Sequence, residues 1–223
     1  MNIAATVIAA WAGLAAGWLA VGHQHLLYQQ AEFRRSPLGS KRRLVFRSVA
    51  AVATGAAWAL AFRPDHYDAS PAALTAAFAL VLIVLASTDF ERKLIPNRLI
   101  YPAMVAAAGF AWAWPDRSFA AVWGGAGFAV AVAAGVFALG MVVGLLLRVK
   151  DTPFGLGDVK LIVLVALVCG WPAVMTALLM GAIAAGVPSF ALLLAGRART
   201  TFSYGPYLAA GGVIVLLFPG SFV

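Results

Sequence analysis

Two carboxylates stand where an apolar chain rarely keeps them. Asp89 closes one long apolar run and Asp158 opens another, 69 positions further on. Acidic residues inside or at the edge of apolar segments are costly and are functional candidates by default. Two that share a site cannot both ionise easily. A proton held between them leaves one as base and the other as acid, and such a pair can activate water against a peptide carbonyl. The residues leave open which aspartate holds the proton, and the pair titrates as a unit. Gly155 and Gly157 lie just before Asp158 and let the backbone approach a substrate strand closely. Pro96 and Asn97 end the polar stretch after Asp89 and set the start of the next helix, with Pro96 inside its first turn, where proline costs least. Glu91 is a rival acid to Asp89, but it stands beside Arg92 and Lys93; Asp151 is a rival to Asp158, but no glycines precede it. Each aspartate alone reads as a helix-end or N-cap residue. Both on one side, with the glycines attached, read as a site.

The elements that must position them follow from composition. The 223 residues are 63% hydrophobic and 11% charged, against about 45–50% and about 25% in a soluble domain. That excludes an ordinary soluble protein, a disordered tail and a disulfide scaffold; the single cysteine, Cys169, allows no internal disulfide. A bilayer core needs about 20 apolar residues per helix. Runs of this kind predict an all-α, polytopic integral membrane protein with about eight transmembrane helices, near 1–21, 44–62, 71–88, 99–114, 118–147, 158–169, 174–195 and 204–218. The first run lacks a basic start and a clear cleavage site, so it reads as a retained helix. Residues 1–70 form N-terminal helices with a short basic loop, and 71–223 a six-helix core. Gly13 with Gly17, and Gly140 with Gly144, have the small-xxx-small spacing of packed helices.

Charge supports the same layout. With the loop after the first helix placed inside, alternation puts 14 of the 16 Lys and Arg inside and leaves Arg63 and Arg117 outside. This is the positive-inside pattern. It places both termini outside and both aspartates at the cytoplasmic face. The net charge of +8 is then a topology signal, not a nucleic-acid footprint, and the basic loop can also hold anionic membrane lipids. Several of the seven tryptophans fall near helix ends as interface anchors.

Gly155-Leu156-Gly157-Asp158-Val159-Lys160 resembles the GxGDxK motif of the type IV prepilin peptidases, the GxGD-type aspartic proteases. Asp89 followed by Ile95-Pro96-Asn97 resembles their other motif, and Phe202-Ser203-Tyr204-Gly205-Pro206 resembles the Gly-Pro that opens the family's last helix. The resemblance covers about residue 71 to the end; the first helix and its loop match in layout only. It implies a membrane aspartic endopeptidase that removes the basic leader of type IV prepilins or pilin-like secretion subunits (pseudopilins) at the cytoplasmic face of a prokaryotic plasma membrane. By motif, Asp89 and Asp158 are the catalytic residues, Gly155 and Gly157 the supporting loop, and Lys160 a positional residue. Many members carry a cysteine-rich zinc segment between the first two helices and also methylate the mature pilin. This chain has no cysteine there, and zinc of that kind needs several Cys or His ligands. A peptidase without methyltransferase activity, metal or cofactor is expected.

His23 and His25 read as a juxtamembrane polar pair, and Asp65, His66 and Asp68 as a solvated turn on the outer side. A basic leader would be repelled by the basic loop, which points to Glu91 or Asp151 as leader-facing acids. Two other classes remain: a small transporter whose carboxylates bind a cation or relay protons, and a non-catalytic scaffold of a secretion machine.

Overall fold

The structure is a computed structural model; the residues it describes are 2–28, 39–64, 66–114, 117–147, 156–195 and 203–219. Among these the fold is all-α. The helices are α1 (Ile3–Gly22), α2 (Ser40–Ala61), α3 (Ala69–Arg92), α4 (Asn97–Gly109), α5 (Phe119–Leu147), α6 (Leu156–Cys169), α7 (Ala173–Leu194) and α8 (Gly205–Leu217), with 3-10 turns at Gln24–Leu27 and Ala111–Ala113. Each expected span holds one helix. Five are long and apolar enough to cross a membrane: α1, α2, α3, α5 over Phe119–Ala138, and α7 over Ala173–Ala191. The chain is a polytopic membrane protein.

The remaining three are short. α4, α6 and α8 have 13, 14 and 13 residues, so each rises about 20 Å against a hydrocarbon core of about 30 Å. Protein rather than lipid surrounds α6: Leu161, Leu164, Val165, Ala166 and Val168 are completely buried, and α4, α5, α7 and α8 all pack on it. A helix apolar all round is a buried one.

Small residues set the closest approaches. A Cβ on Gly13 would lie 2.9 Å from Thr54 O, and one on Gly17 would lie 2.6 Å from Thr54 Oγ1. The Gly13/Gly17 pair therefore seats α1 on α2 as its spacing predicts. The surroundings of Gly140 and Gly144 lie outside the described residues. Gly170, with φ of +73°, turns the chain between α6 and α7, and the next residue's N–H reaches Ala121 O at 2.7 Å.

Four boundaries differ from expectation. α2 begins at Ser40, so Lys41, Arg42 and Arg43 lie in its first turn and not in a loop. Cations are unfavourable there, but Arg43 Nη2 donates to Gly22 O at 3.2 Å and Arg47 Nη2 to Trp18 O at 3.3 Å. Both thus serve the negative, carbonyl-rich end of α1. α3 runs on to Arg92, which keeps Asp89 inside its last turn; Lys93, at φ of 55°, then closes the helix by donating its N–H to Asp89 O at 2.7 Å. Pro96 is the N-cap of α4 and not part of its first turn. α4 stops at Gly109, and a 3-10 turn replaces its expected last turn.

Candidate active site

Asp89 is 5% exposed, and its carboxylate faces the start of α8. The Ser203 hydroxyl donates to Asp89 Oδ2, and the Gly205 N–H donates to the same oxygen at 3.1 Å. The first N–H groups of a helix have no partner within it, so the opening turn of α8 has a donor to spare, and its positive end suits a carboxylate. Pro206 lies in the same first turn. A Cβ at position 205 would lie 2.5 Å from Asp89 Oδ2 and 2.8 Å from its Cγ. Glycine is the residue that permits this approach.

The segment after Asp89 meets the segment around Asp158. Lys160 Nζ donates to Asn97 Oδ1 at 2.8 Å and stands 5.0 Å from the centre of the Tyr101 ring. A Cβ on Gly157 would be in ordinary contact, 3.5 Å, with the Ile95 side chain. Asp158 is half-buried in the first turn of α6, between these two contacts in sequence. Pro96 is buried at the head of α4. The last turn of α3 and the N-termini of α4, α6 and α8 therefore gather at one end of the bundle. The positive end of α8 meets Asp89, and Asp158 stands in the first turn of α6 at the same end.

The family model described as the type IV leader peptidase family matches residues 76–190. The chain belongs to the type IV leader peptidase family. It is accordingly a leader peptidase-like protease whose apolar helices place it in a membrane. The match includes both aspartates and the Ile95-Pro96-Asn97 and Gly157–Lys160 segments. No curated protein and no solved structure matches the chain.

The other sequence candidates fall as follows. Glu91 is half-buried and accepts a hydrogen bond from the Gln24 side-chain amide. The oxygen of that amide accepts from Ser87 Oγ at 2.6 Å. Gln24 thus ties the turn after α1 to the last two turns of α3. Tyr28 packs there too, 5.8 Å from the Arg92 guanidinium, and its phenol is pushed up to about 12, first by burial and then by the Glu91 charge. Gly155 and Asp151 lie outside the described residues. His23 bonds its own helix through Leu19 O at 2.9 Å. His66 lies 3.3 Å from Arg63 at the far end, and Asp65 is outside the described residues. Among the described residues no three of His, Cys, Asp and Glu come together as metal ligands.

Sequence reasoning missed Ser203, Gly205 and Gln24 as neighbours of this region. Gly205-Pro206 was visible as a helix opening. Its contact with Asp89 spans 116 positions, and no spacing rule reaches that far.

Proposed function

We propose that this protein is an aspartic endopeptidase that removes the basic leader of type IV prepilins or pilin-like secretion subunits. In this reading Asp89 and Asp158 form the dyad, and they face the cytoplasm in a prokaryotic plasma membrane. The observation that carries the proposal is the setting of Asp89. A buried carboxylate with two protein donors on Oδ2 is held in place, and it sits at the bundle end to which Lys160 and Asn97 bind the Asp158 helix. The basic residues favour the same orientation. Lys41, Arg42, Arg43, Arg47, Arg92, Lys93, Arg98 and Lys160 belong to helix ends at the Asp89 side, while Arg63 and Arg117 belong to the other.

The chemistry then runs as follows. One carboxylate takes a proton from a bound water, and the water oxygen adds to the scissile carbonyl carbon. The protonated partner gives its proton to the carbonyl oxygen. Collapse breaks the C–N bond, and the proton taken from water passes to the leaving nitrogen. Because Oδ2 of Asp89 is engaged by Ser203 and Gly205, Oδ1 is the oxygen we assign to water. Lys160, through Asn97, holds α6 against α4 and does not take part in proton transfer. Glu91, engaged by Gln24, belongs to the packing of α1 on α3. We infer that methylation of the product, where it occurs, falls to another protein.

The test is cleavage of a model substrate with a basic leader ending in Gly ahead of an apolar helix, by purified protein in liposomes. Wild type should cut after the Gly, and folded Asp89→Asn and Asp158→Asn should be inert. Cutting by either variant would remove that residue from the dyad. Proton flux without cleavage, lost in the same variants, would favour the transporter class.

A further inference from the structure

A cleft of about 850 Å³ opens between α5, α6, α7 and α8. One end lies at the candidate dyad. Tyr204, which lines it, is the residue between Ser203 and Gly205, the two donors to Asp89. Ile162, also in the lining, is four residues after Asp158, so it stands one turn along the same face of α6. The other end reaches Pro172 and Met175, on the turn that precedes α7 and in its first turn. Along α7 the lining includes Met175, Leu179, Ala182, Gly186 and Ser189, positions that fall on one helical face. From Met175 to Ser189 that face rises about 21 Å.

The cleft suits one kind of occupant. Its walls are apolar apart from Thr176, Ser189 and Tyr204, and the Ser189 hydroxyl is turned back to Ala185 O at 2.7 Å. Ala182 and Gly186 leave the α7 wall low: a Cβ added at Gly186 would meet nothing within 4 Å. Small residues of this kind admit another helix backbone at close range. A second groove of about 320 Å³ lies between α2, α3 and α8. It includes Phe90 and Pro206, next to Asp89 and Gly205, but no residue of α6. The larger cleft alone includes the helix of Asp158, through Ile162, and it meets the Asp89 side through Tyr204, between the two residues that donate to Asp89.

We propose that the cleft between α5, α6, α7 and α8 receives the apolar helix of the substrate, its N-terminal end at Tyr204, Ile162 and Gly186 and its body along Ala182 and Leu179 toward Met175. This rests on the leader-peptidase reading above. A bond cut just ahead of an apolar helix reaches the dyad only if that helix starts there and runs away into the membrane, which is the direction of the cleft.

The experiment uses the full-length protein in liposomes with the prepilin-like substrate. A photo-crosslinking residue is placed at Val132 or Gly186, and for comparison at Val49 or Ala53 of the smaller groove, in the Asp158→Asn background. Adducts to the first half of the substrate helix are expected from 132 and 186. In the otherwise wild-type protein, Gly186→Phe should raise KM by about tenfold or more with little change in kcat, the signature of lost ground-state binding. Adducts from 49 and 53 alone, or an unchanged KM in a folded Gly186→Phe, would overturn the proposal while wild-type cleavage leaves the peptidase reading standing. Failure of the wild type to cut at all would remove that reading and the proposal together.

Discussion

Gly205→Ala adds one methyl group at the most confined point of the candidate site. The new Cβ would lie 2.5 Å from Asp89 Oδ2, 2.8 Å from Cγ and 3.1 Å from Cβ. Ordinary contact begins at about 3.4 Å, so the carboxylate or the helix must give by about 0.9 Å. α8 has little freedom to retreat. Gly211 packs directly on Ala177 O, and a Cβ on Gly181 would already be 2.9 Å from Leu208 Cα. The Asp89 side chain is therefore what moves, and it loses the Gly205 N–H as it does so. A misplacement of about 1 Å at a reacting group costs on the order of 100-fold in rate, or about 2.7 kcal/mol at 1.36 kcal/mol per decade. We expect kcat for the model substrate to fall about 100-fold, with the overpacking itself costing roughly 1–3 kcal/mol of stability. Ser203→Ala removes a donor without adding volume and should cost about tenfold, the lower end for a hydrogen bond to a charged group. Gly109→Ala, where nothing lies within 4 Å, controls for the effect of glycine loss. Asp89→Asn sets the floor. A folded Gly205→Ala that cuts within threefold of wild type would show that the position of Asp89 does not limit the reaction.

Three further outcomes follow from the contacts around this end of the bundle. Lys160→Met and Asn97→Ala should be non-additive in a double-mutant cycle of kcat/KM, with a coupling of about 1 kcal/mol; additive effects would dissolve the link between the two motifs. Gln24→Leu removes one hydrogen-bond partner from Ser87 and one from Glu91, so thermal unfolding in detergent should report a loss of about 1–3 kcal/mol, and a melting temperature equal to wild type would exclude Gln24 as a clamp. Tyr28 ionises near pH 12 in the fold instead of 10.0. Between those values the folded chain keeps a proton that the unfolded chain releases, so stability falls as pH rises through that window. Tyr28→Phe should show a smaller drop in melting temperature from pH 9 to pH 11 than wild type does.

The helical segments were legible because a bilayer demands long apolar runs, and each of the eight expected runs holds a helix. Their ends were not. Arg43 and Arg47 look like loop and snorkelling residues until α1 is seen to present Gly22 O and Trp18 O to them. The shortness of α6 was legible in its expected run of 158–169; what surrounds it was not, since hydropathy measures burial and does not tell lipid from protein. Asp89 and Asp158 stood out as acids against an apolar background. Their neighbours did not stand out: a serine, a glycine N–H and a glutamine carry no compositional signal and become relevant only through tertiary contact. Lys160 was read as positional; its bond to Asn97, 63 positions away, had no signal in the sequence.

The three helices too short to cross the membrane core all begin at the end where Asp89 lies. A helix that crosses completely would carry its first turn out to the aqueous surface. One that rises only about 20 Å can begin below that surface, and its unpaired N–H groups must then find protein partners. At α8 the partner is Asp89 Oδ2, met by Gly205. The costs of the two features offset each other: a buried carboxylate needs donors, and a buried helix start needs acceptors. The family match ends at residue 190, while both donors to Asp89 come later, at Ser203 and Gly205. The region that marks the family thus contains the acids without the turn that holds one of them. A definition of the site by motif alone stops short of α8, and a definition by hydrogen bonding includes it.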